Sequence, residues 1–449
     1  MVNTLFLPEL REMLTEGNDD ELREFCTALH PARTAEFMEG LSADEMWRVL
    51  QYAPVNLQVE MFSYFEWDRQ LEMLATQDEK QVARLVTHLS ADDAVDLLRK
   101  VDETRVDSIL ALVPAADRRD IRRLQTFKEG TAGALMTTEA ACLDERLTVR
   151  QALEQLSKQA ERLETIYYIY VTDDDNHLRG VVSTRKLVSS IGKLDLRLGD
   201  LMVSDLVVAN VHDDQEAVAR QVAHYNLLAI PVVDDHGHML GIITHDDVID
   251  VLYEEATEDV QRIAAVDPLV DSYMRTSVLT LSWKRGIWLT ILFFAGLLTA
   301  LALRHYETEL AEFDWLVWFI PLIIGSGGNS GSQSSTLIIT ALATGDVQFS
   351  DMWRIVRREL QTGLFLGAAL ATIGFISAMF LAPNFNAALI IPITIMCVVV
   401  CGTMSGGALP LIFRKAGLDP ALMSNPFVAG INDILGIVIY INVARMLLY

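Results

Sequence analysis

One acid stands alone in apolar sequence. Near the C-terminus the chain reads Asn425-Pro426-Phe427-Val428-Ala429-Gly430-Ile431-Asn432-Asp433-Ile434-Leu435-Gly436, and Asp433 is the only formal charge between Asp419 and Arg445. A carboxylate in the middle of a membrane span costs about 2.5–3.5 kcal/mol on insertion scales, so it faces a polar cavity, an ion path or a basic partner. The neighbouring apolar segments carry no basic residue in their middles. The chemistry that fits is transient binding of a cation. A second stretch, PLIIGSGGNSGSQSS from Pro321 to Ser335, holds too many glycines and hydroxyls for a lone lipid-facing helix. It suits a place where backbones pack closely or open toward water. Gly402-Thr403-Met404-Ser405-Gly406-Gly407 has the same texture. Small-residue packing accounts for most of these positions. It requires neither an amide nor a carboxylate, which leaves Asn329 and Asp433 over.

A second group of acids is crowded rather than solitary. From Asp246 to Asp259 seven of fourteen residues are carboxylates, with no Lys or Arg among them. On a helix the pairs Asp250/Glu254, Glu254/Glu258 and Glu255/Asp259 stand at i,i+4 and repel by a few tenths of a kcal/mol each. Cations relieve that repulsion, and hard divalent cations take oxygen ligands. A solvated acidic helix is the plainer alternative. Upstream, Asp92-Asp93-Ala94-Val95-Asp96 puts Asp92 and Asp96 on one helical face; alone it reads as a solvated helix start. His236-Gly237-His238 falls in a predicted turn and reads as a solvated loop.

These residues need elements to hold them. The chain has 449 residues and a net charge of −25. Nine acids and nine bases lie between Trp283 and Tyr449, so the whole net charge belongs to residues 1–282. Such acidity repels nucleic acid and anionic lipid and favours a cation as partner. The N-terminus lacks the basic start and apolar core of a signal peptide, so the acidic part is expected to be cytosolic. The four cysteines, Cys26, Cys142, Cys397 and Cys401, form no CxxC motif and no disulfide framework. From about Leu5 to Phe127 the apolar spacing is helical, with a 24-residue step through Leu41, Phe65, Leu89 and Val113. This predicts stacked helical hairpins, with Ser42, Asp68, Ser90 and Asp102 as N-caps.

From Gly133 to Leu252 short β-branched runs alternate with helical stretches, and the segment is duplicated. Ile169-Tyr170-Val171-Thr172-Asp173 matches Ile230-Pro231-Val232-Val233-Asp234 at a shift of 61, as does Gly180-Val181-Val182-Ser183 with Gly241-Ile242-Ile243-Thr244. These residues resemble a tandem pair of CBS domains. The resemblance implies a nucleotide- or ion-sensing module, with Thr244 and Asp247 in the place of the ribose-contacting pair; Lys186 replaces that acid in the first copy. A folded linker with no ligand remains the other reading. Five membrane spans follow, at about 287–303, 315–342, 360–381, 387–413 and 424–448. The distribution of Lys and Arg between them predicts a cytosolic N-terminus and an extracytosolic C-terminus.

The order of parts, the EEATED run, PLIIGSGGNSGSQSS and GLDPALMSNPFVAGINDILG together resemble the MgtE family of magnesium channels over essentially the whole chain. The resemblance implies a multidomain fold. An all-α helical-repeat domain (1–130) precedes an α/β tandem CBS pair (131–253), an acidic connecting helix (254–282) and a five-helix α transmembrane domain (283–449). It implies a homodimer in the lipid bilayer of the cell membrane that imports Mg²⁺ and does not act as an enzyme. Asp433, Asn432, Gly328 and Asn329 would line the ion path. Regulatory Mg²⁺ would be held among Asp92, Asp93, Asp96, Glu216, Asp246, Asp247, Asp250, Glu254, Glu255, Glu258 and Asp259. ATP or another adenine nucleotide would occupy the CBS pair. The family often has Thr where this chain has Asn432, and Arg where it has Thr340. Two other readings stay open: an ion-coupled exchanger, and a membrane-anchored sensor that passes no ions. No GxxxxGK[ST] motif for nucleotide hydrolysis is present.

Overall fold

The computed structural model describes residues 6–269 and 273–448. The chain divides after Leu252 into two compact units.

The first unit opens with ten short helices: α1 (Leu7–Glu16), α2 (Asp19–Ala28), α3 (Pro31–Met38), α4 (Ala43–Leu50), α5 (Val55–Ser63), α6 (Trp67–Thr76), α7 (Glu79–Val86), α8 (Ala91–Arg99), α9 (Glu103–Leu112) and α10 (Ala115–Leu124). Packing follows the repeat: α3 lies on α5, α4 on α6, α7 on α9 and α8 on α10. The residues that mark the 24-residue step, Leu41, Phe65, Leu89 and Val113, are all buried. Each helix is too short to persist alone, so burial of its apolar stripe holds it. Ser42 closes a capping box with Glu45, and Asp102 accepts from the Thr104 amide at 3.0 Å. Asp68 does not cap. Glu66 takes that position and Asp68 falls in the first turn of α6, where a carboxylate still favours the helix dipole. Ser90 stands at its N-cap, but its side chain meets the Asp93 carboxylate rather than a helix amide.

The duplicated segment adds α11 (Ala132–Leu135), α12 (Val149–Gln159), α13 (Thr184–Ser189), α14 (Leu198–Leu201) and α15 (Gln215–Tyr225). It also forms two three-stranded sheets of one topology. In the first, β1 (Ala140–Asp144) pairs parallel with β2 (Thr165–Thr172), which pairs antiparallel with β3 (Leu178–Ser183). In the second, β4 (Ala209–Asn210), β5 (Ala229–Val233) and β6 (Met239–Thr244) repeat the pattern. The copies clasp each other. Thr137, ahead of β1, exchanges both backbone hydrogen bonds with Ile242 of β6, and Val203, ahead of β4, does the same with Val181 of β3. Gly180 and Gly241 permit the approach: a methyl at Gly180 would lie 2.7 Å from Met202 Cγ, and one at Gly241 would strike the Thr137 carbonyl. His177 and His238 occupy equivalent turns and stack at 4.3 Å between ring centroids, so His238 is a packed residue rather than a solvated one.

Helix α16 (His245–Ile263) carries the acidic run. It starts earlier and ends earlier than the expected connecting helix at 254–282. Ala265 adopts a left-handed φ of 58°, and Asp267 precedes Pro268, a context that disfavours helix. Part of the expected helix, 270–272, lies outside the described residues.

The second unit holds α17 (Val278–His305), α18 (Glu307–Glu312), α19 (Ile320–Ala343), α20 (Met352–Leu381), α21 (Phe385–Lys415) and α22 (Asn425–Leu448). Among the described residues four helices, α17, α20, α21 and α22, are long and apolar enough to cross a membrane. The sequence predicted five spans. The remaining one corresponds to α19, 24 residues long, whose glycine- and serine-rich middle lowers its hydropathy. α19 packs on both α21 and α22. On α20, Gly363, Gly367 and Gly374 are buried and let α21 come close: a methyl at Gly367 would lie 2.8 Å from Met396 Sδ.

Candidate ion-binding sites

Backbones meet at the contact of α19 with α21, because side chains there would not fit. A methyl at Gly402 would come within 2.6 Å of the Gly327 carbonyl oxygen, and one at Gly406 would strike that of Gly331. This close seat brings α19 against α22 as well. Asp433 lies in the interior of α22, half-buried, with its carboxylate over Gly328: a methyl there would stand 3.2 Å from Asp433 Oδ1. Among the described residues its carboxylate makes no hydrogen bond or ion pair within the chain. The basic-partner alternative therefore has no support here. Asn329 is exposed on α19 beside Gly328. Gly328 and Asp433 thus meet, with Asn329 the next residue along α19.

Asn432 does not join them. It is buried, its Oδ1 accepts from Ser405 Oγ at 2.9 Å, and its Nδ2 donates to the Val428 carbonyl at 3.0 Å. Both ends of the amide are engaged within the helix packing, so Asn432 braces α21 against α22. Sequence reasoning also passed over Glu359. That acid follows three arginines at the head of an apolar run and so resembles a solvated helix end, yet it is buried, with Ser334 Oγ donating to its Oε2 at 2.6 Å.

The first unit contains the crowded acids. Asp92 is buried, and its Oδ1 has no hydrogen-bond partner. Burial, then the charges of Asp93, Asp247 and Glu164, hold its carboxyl well above the ordinary range. Asp247 is pushed up to about 6 by burial and by the charges of Asp246 and Asp93, against the Thr244 hydroxyl that donates to it at 2.6 Å. Asp93 keeps an open edge and is raised by desolvation, then by Asp246 and Asp250. Two acids that the sequence did not single out belong to this group. Glu164 is raised to about 7 by desolvation, then by Asp247, Glu139, Asp93 and Asp246; its own edge stays exposed. Glu139 is raised to about 7 by burial, then by Asp117 and Asp120. No periodicity marks either residue.

Two other predicted members have basic neighbours. Asp96 pairs with Arg99 at 3.4 Å, and Glu216 with Arg220 at 2.6 Å. Glu254, Glu255, Glu258 and Asp259 lie farther along α16, in the second unit. There Arg262 pairs with both Glu258 and Asp419. Among the described residues no three His, Cys, Asp or Glu side chains converge closely enough to enclose a metal ion. A hydrated divalent cation fits the donor set better than a stripped one, since Mg²⁺ keeps several waters beside one or two carboxylates. The orphaned Asp92 oxygen, facing Asp247 and Glu164, is the observation that favours a cation there.

A cleft of about 470 Å³ also opens in the first unit, lined by residues including Tyr168, Tyr170, Ser183, Lys186, Tyr225 and Pro231. Aromatic faces beside a lysine suit a ligand with a flat ring and an anionic tail. Thr244 and Asp247 do not line it. Both copies line it, Ser183 and Lys186 from the first and Tyr225 and Pro231 from the second, while the Thr244 hydroxyl and Asp247 carboxylate bond each other.

Comparison with known proteins bears on the whole chain. Residues 320–443 match the MgtE divalent cation transporter family, 29–130 the MgtE intracellular N domain, and 132–193 with 198–254 the CBS domain. The magnesium transporter MgtE of Thermus thermophilus is 35% identical over 442 residues, covering 98% of both chains. The chain belongs to the MgtE family. The MgtE of Enterococcus faecalis is 34% identical over 97% of this chain and 96% of that one. These whole-length MgtE relatives are named as transporters, not enzymes. Among solved structures, the soluble part of a magnesium transporter matches with a TM-score of 0.52 at 35% identity, covering 56% of this chain and 97% of that one. The cytosolic domain of the Mg²⁺ channel MgtE in complex with ATP matches with a TM-score of 0.51 at 34% identity, covering 54% and 98%. An MgtE N domain, a CBS pair and a membrane domain are therefore the parts of this chain.

Proposed function

We propose that this chain conducts Mg²⁺ into the cell down its electrochemical gradient and is shut by Mg²⁺ on the cytosolic side. One observation carries the reading: Asp433, in the interior of an apolar helix, has no basic partner and lies over Gly328 beside exposed Asn329. α19 counts as the fifth span, the N-terminus is cytosolic, and the C-terminus lies outside. Two copies of the chain face each other across the ion path, so two Asp433 carboxylates grip a hydrated ion through its waters. Stripping Mg²⁺ of its shell is then unnecessary. The membrane potential supplies about 4.6 kcal/mol per 100 mV for a divalent ion, twice the per-charge value.

Cytosolic Mg²⁺ is sensed by Asp92, Asp93, Asp247 and their neighbours, with α16 as the element that transmits the state. A cation shifts such an equilibrium only by binding one state more tightly; the mutual repulsion of these acids supplies the difference. An adenine nucleotide occupies the cleft at Lys186, a reading favoured by the ATP complex of the related cytosolic domain. The test is Mg²⁺ entry into liposomes, parent against Asp433→Ala, at low and high Mg²⁺ on the cytosolic face. Flux in the parent, lost in the variant and shut by cytosolic Mg²⁺, is expected. Flux that survives the substitution places the ion site elsewhere. Flux that needs a Na⁺ or H⁺ gradient makes the protein an exchanger, and no flux under any gradient makes it a sensor.

A further inference from the structure

Glu359 belongs to neither group of acids just assigned a role. It sits at a junction of three helices near the start of α20. Its Oε2 accepts from Ser334 Oγ of α19 at 2.6 Å, and its backbone carbonyl accepts from Thr403 Oγ1 of α21 at 3.1 Å. A methyl at Gly407 of α21 would lie 2.7 Å from its Cγ. Among the described residues no Lys, Arg or His pairs with it. Burying a carboxylate without a counter-ion is costly, and helix packing alone is better served by an apolar residue. The 2.6 Å contact is a close O–H···O hydrogen bond.

The partner of that bond gives it a use. Ser334 is buried and Asn329 is exposed on the same helix. Five residues separate them, so they stand about 140° apart around the axis. A bond that fixes Ser334 thereby fixes where Asn329 points. The middle of the buried face of α19 is glycine and serine, with Ile323, Ile338, Ile339 and Leu342 toward its ends, so side-chain hydrogen bonds add to close backbone packing there. Ser332 and Ser335 tie α19 to the backbone at Asn425 and Met423. Glu359 is the tie from α20. We propose that Glu359 is a positioning residue that helps to set the rotation of α19 about its own axis and so keeps Asn329 exposed beside the Gly328–Asp433 contact. The role rests on the reading that this face lines the ion path.

The test reads helix rotation directly. Cys26, Cys142, Cys397 and Cys401 are replaced by Ala in the full chain, a single cysteine is placed at Asn329→Cys or Ser330→Cys, and reaction with a water-soluble thiol reagent is followed in proteoliposomes. In the parent, position 329 reacts faster than position 330. With Glu359→Ala the ratio of the two rates is expected to fall about tenfold, the scale of one lost hydrogen bond to a charged group. Ser334→Ala gives the same fall with the carboxylate in place, and Glu359→Gln, which keeps volume and an acceptor oxygen, restores most of it. A ratio unchanged in both Ala variants, or rates that rise equally at both positions, overturns the role. Asp433→Ala conducting like the parent overturns the ion-path reading alone.

Discussion

Asp433 and Asp92 are both withdrawn from water, but their surroundings differ in kind. Around Asp433 the chain places glycines and, among the described residues, no second charge that pairs with it. Around Asp92 it places Asp93, Asp247 and Glu164, whose charges raise its proton affinity. A solitary acid lowers the energy of a passing cation. A crowd of acids is at odds with itself until a cation or protons arrive, so it reports cation concentration. The same functional group thus suits passage in one unit and sensing in the other.

The comparison breaks most readily at Asp433. Asp433→Asn keeps shape and removes charge; Mg²⁺ flux into liposomes should fall about a hundredfold, the scale of a charge in a membrane interior. A smaller fall with Asn329→Ala would support the path, whereas flux retained in Asp433→Asn would end the contrast. Next, Asp92→Ala with Asp247→Ala should raise the cytosolic Mg²⁺ needed for half-closure about tenfold and leave maximal flux unaltered. A drop in maximal flux would show that the crowded acids serve passage too. Gly328→Ala sharpens the membrane side. Its methyl would crowd Asp433 Oδ1 at 3.2 Å, and flux should fall several-fold with stability kept.

The smallest effect is on stability against pH. Asp92, Glu139, Glu164 and Asp247 have raised pKa values in the folded chain, Glu139 and Glu164 about 7 and Asp247 about 6. Between the ordinary carboxylate range and about 7 the folded state holds more protons than the unfolded one, so stability falls as pH rises through that window. Thermal unfolding of the full chain in chelator should therefore come a few degrees lower at pH 8 than at pH 5.5, and millimolar Mg²⁺ should erase the difference. A Tm that rises with pH in chelator would remove the case for mutual repulsion.

Periodic features were the legible ones. The 24-residue step put Leu41, Phe65, Leu89 and Val113 in the core, and the shift of 61 foretold two sheets of one topology. Asp433 stood out because its neighbours are apolar. What escaped depends on contacts between distant segments. Glu359 is buried only because Gly407 and Ser334 make room and donate a bond. Asn432 turns to Ser405, 27 residues earlier, which no local pattern announces. Glu164 matters through Asp247, and the end of α16 is set by the backbone at Ala265 rather than by charge.

The clasp between the CBS copies bears on how this chain can be cut. Thr137 covers the edge of β6 and Val203 covers the edge of β3, so each copy finishes the other's sheet. An uncovered edge strand invites pairing with any other chain. A break anywhere between residues 193 and 198 would thus yield two fragments with sticky margins, more apt to find each other, or a foreign sheet, than to stay single. Proteolysis at that short join would leave a nicked module still held together, and division of the module into halves would be an assembly hazard rather than a simplification.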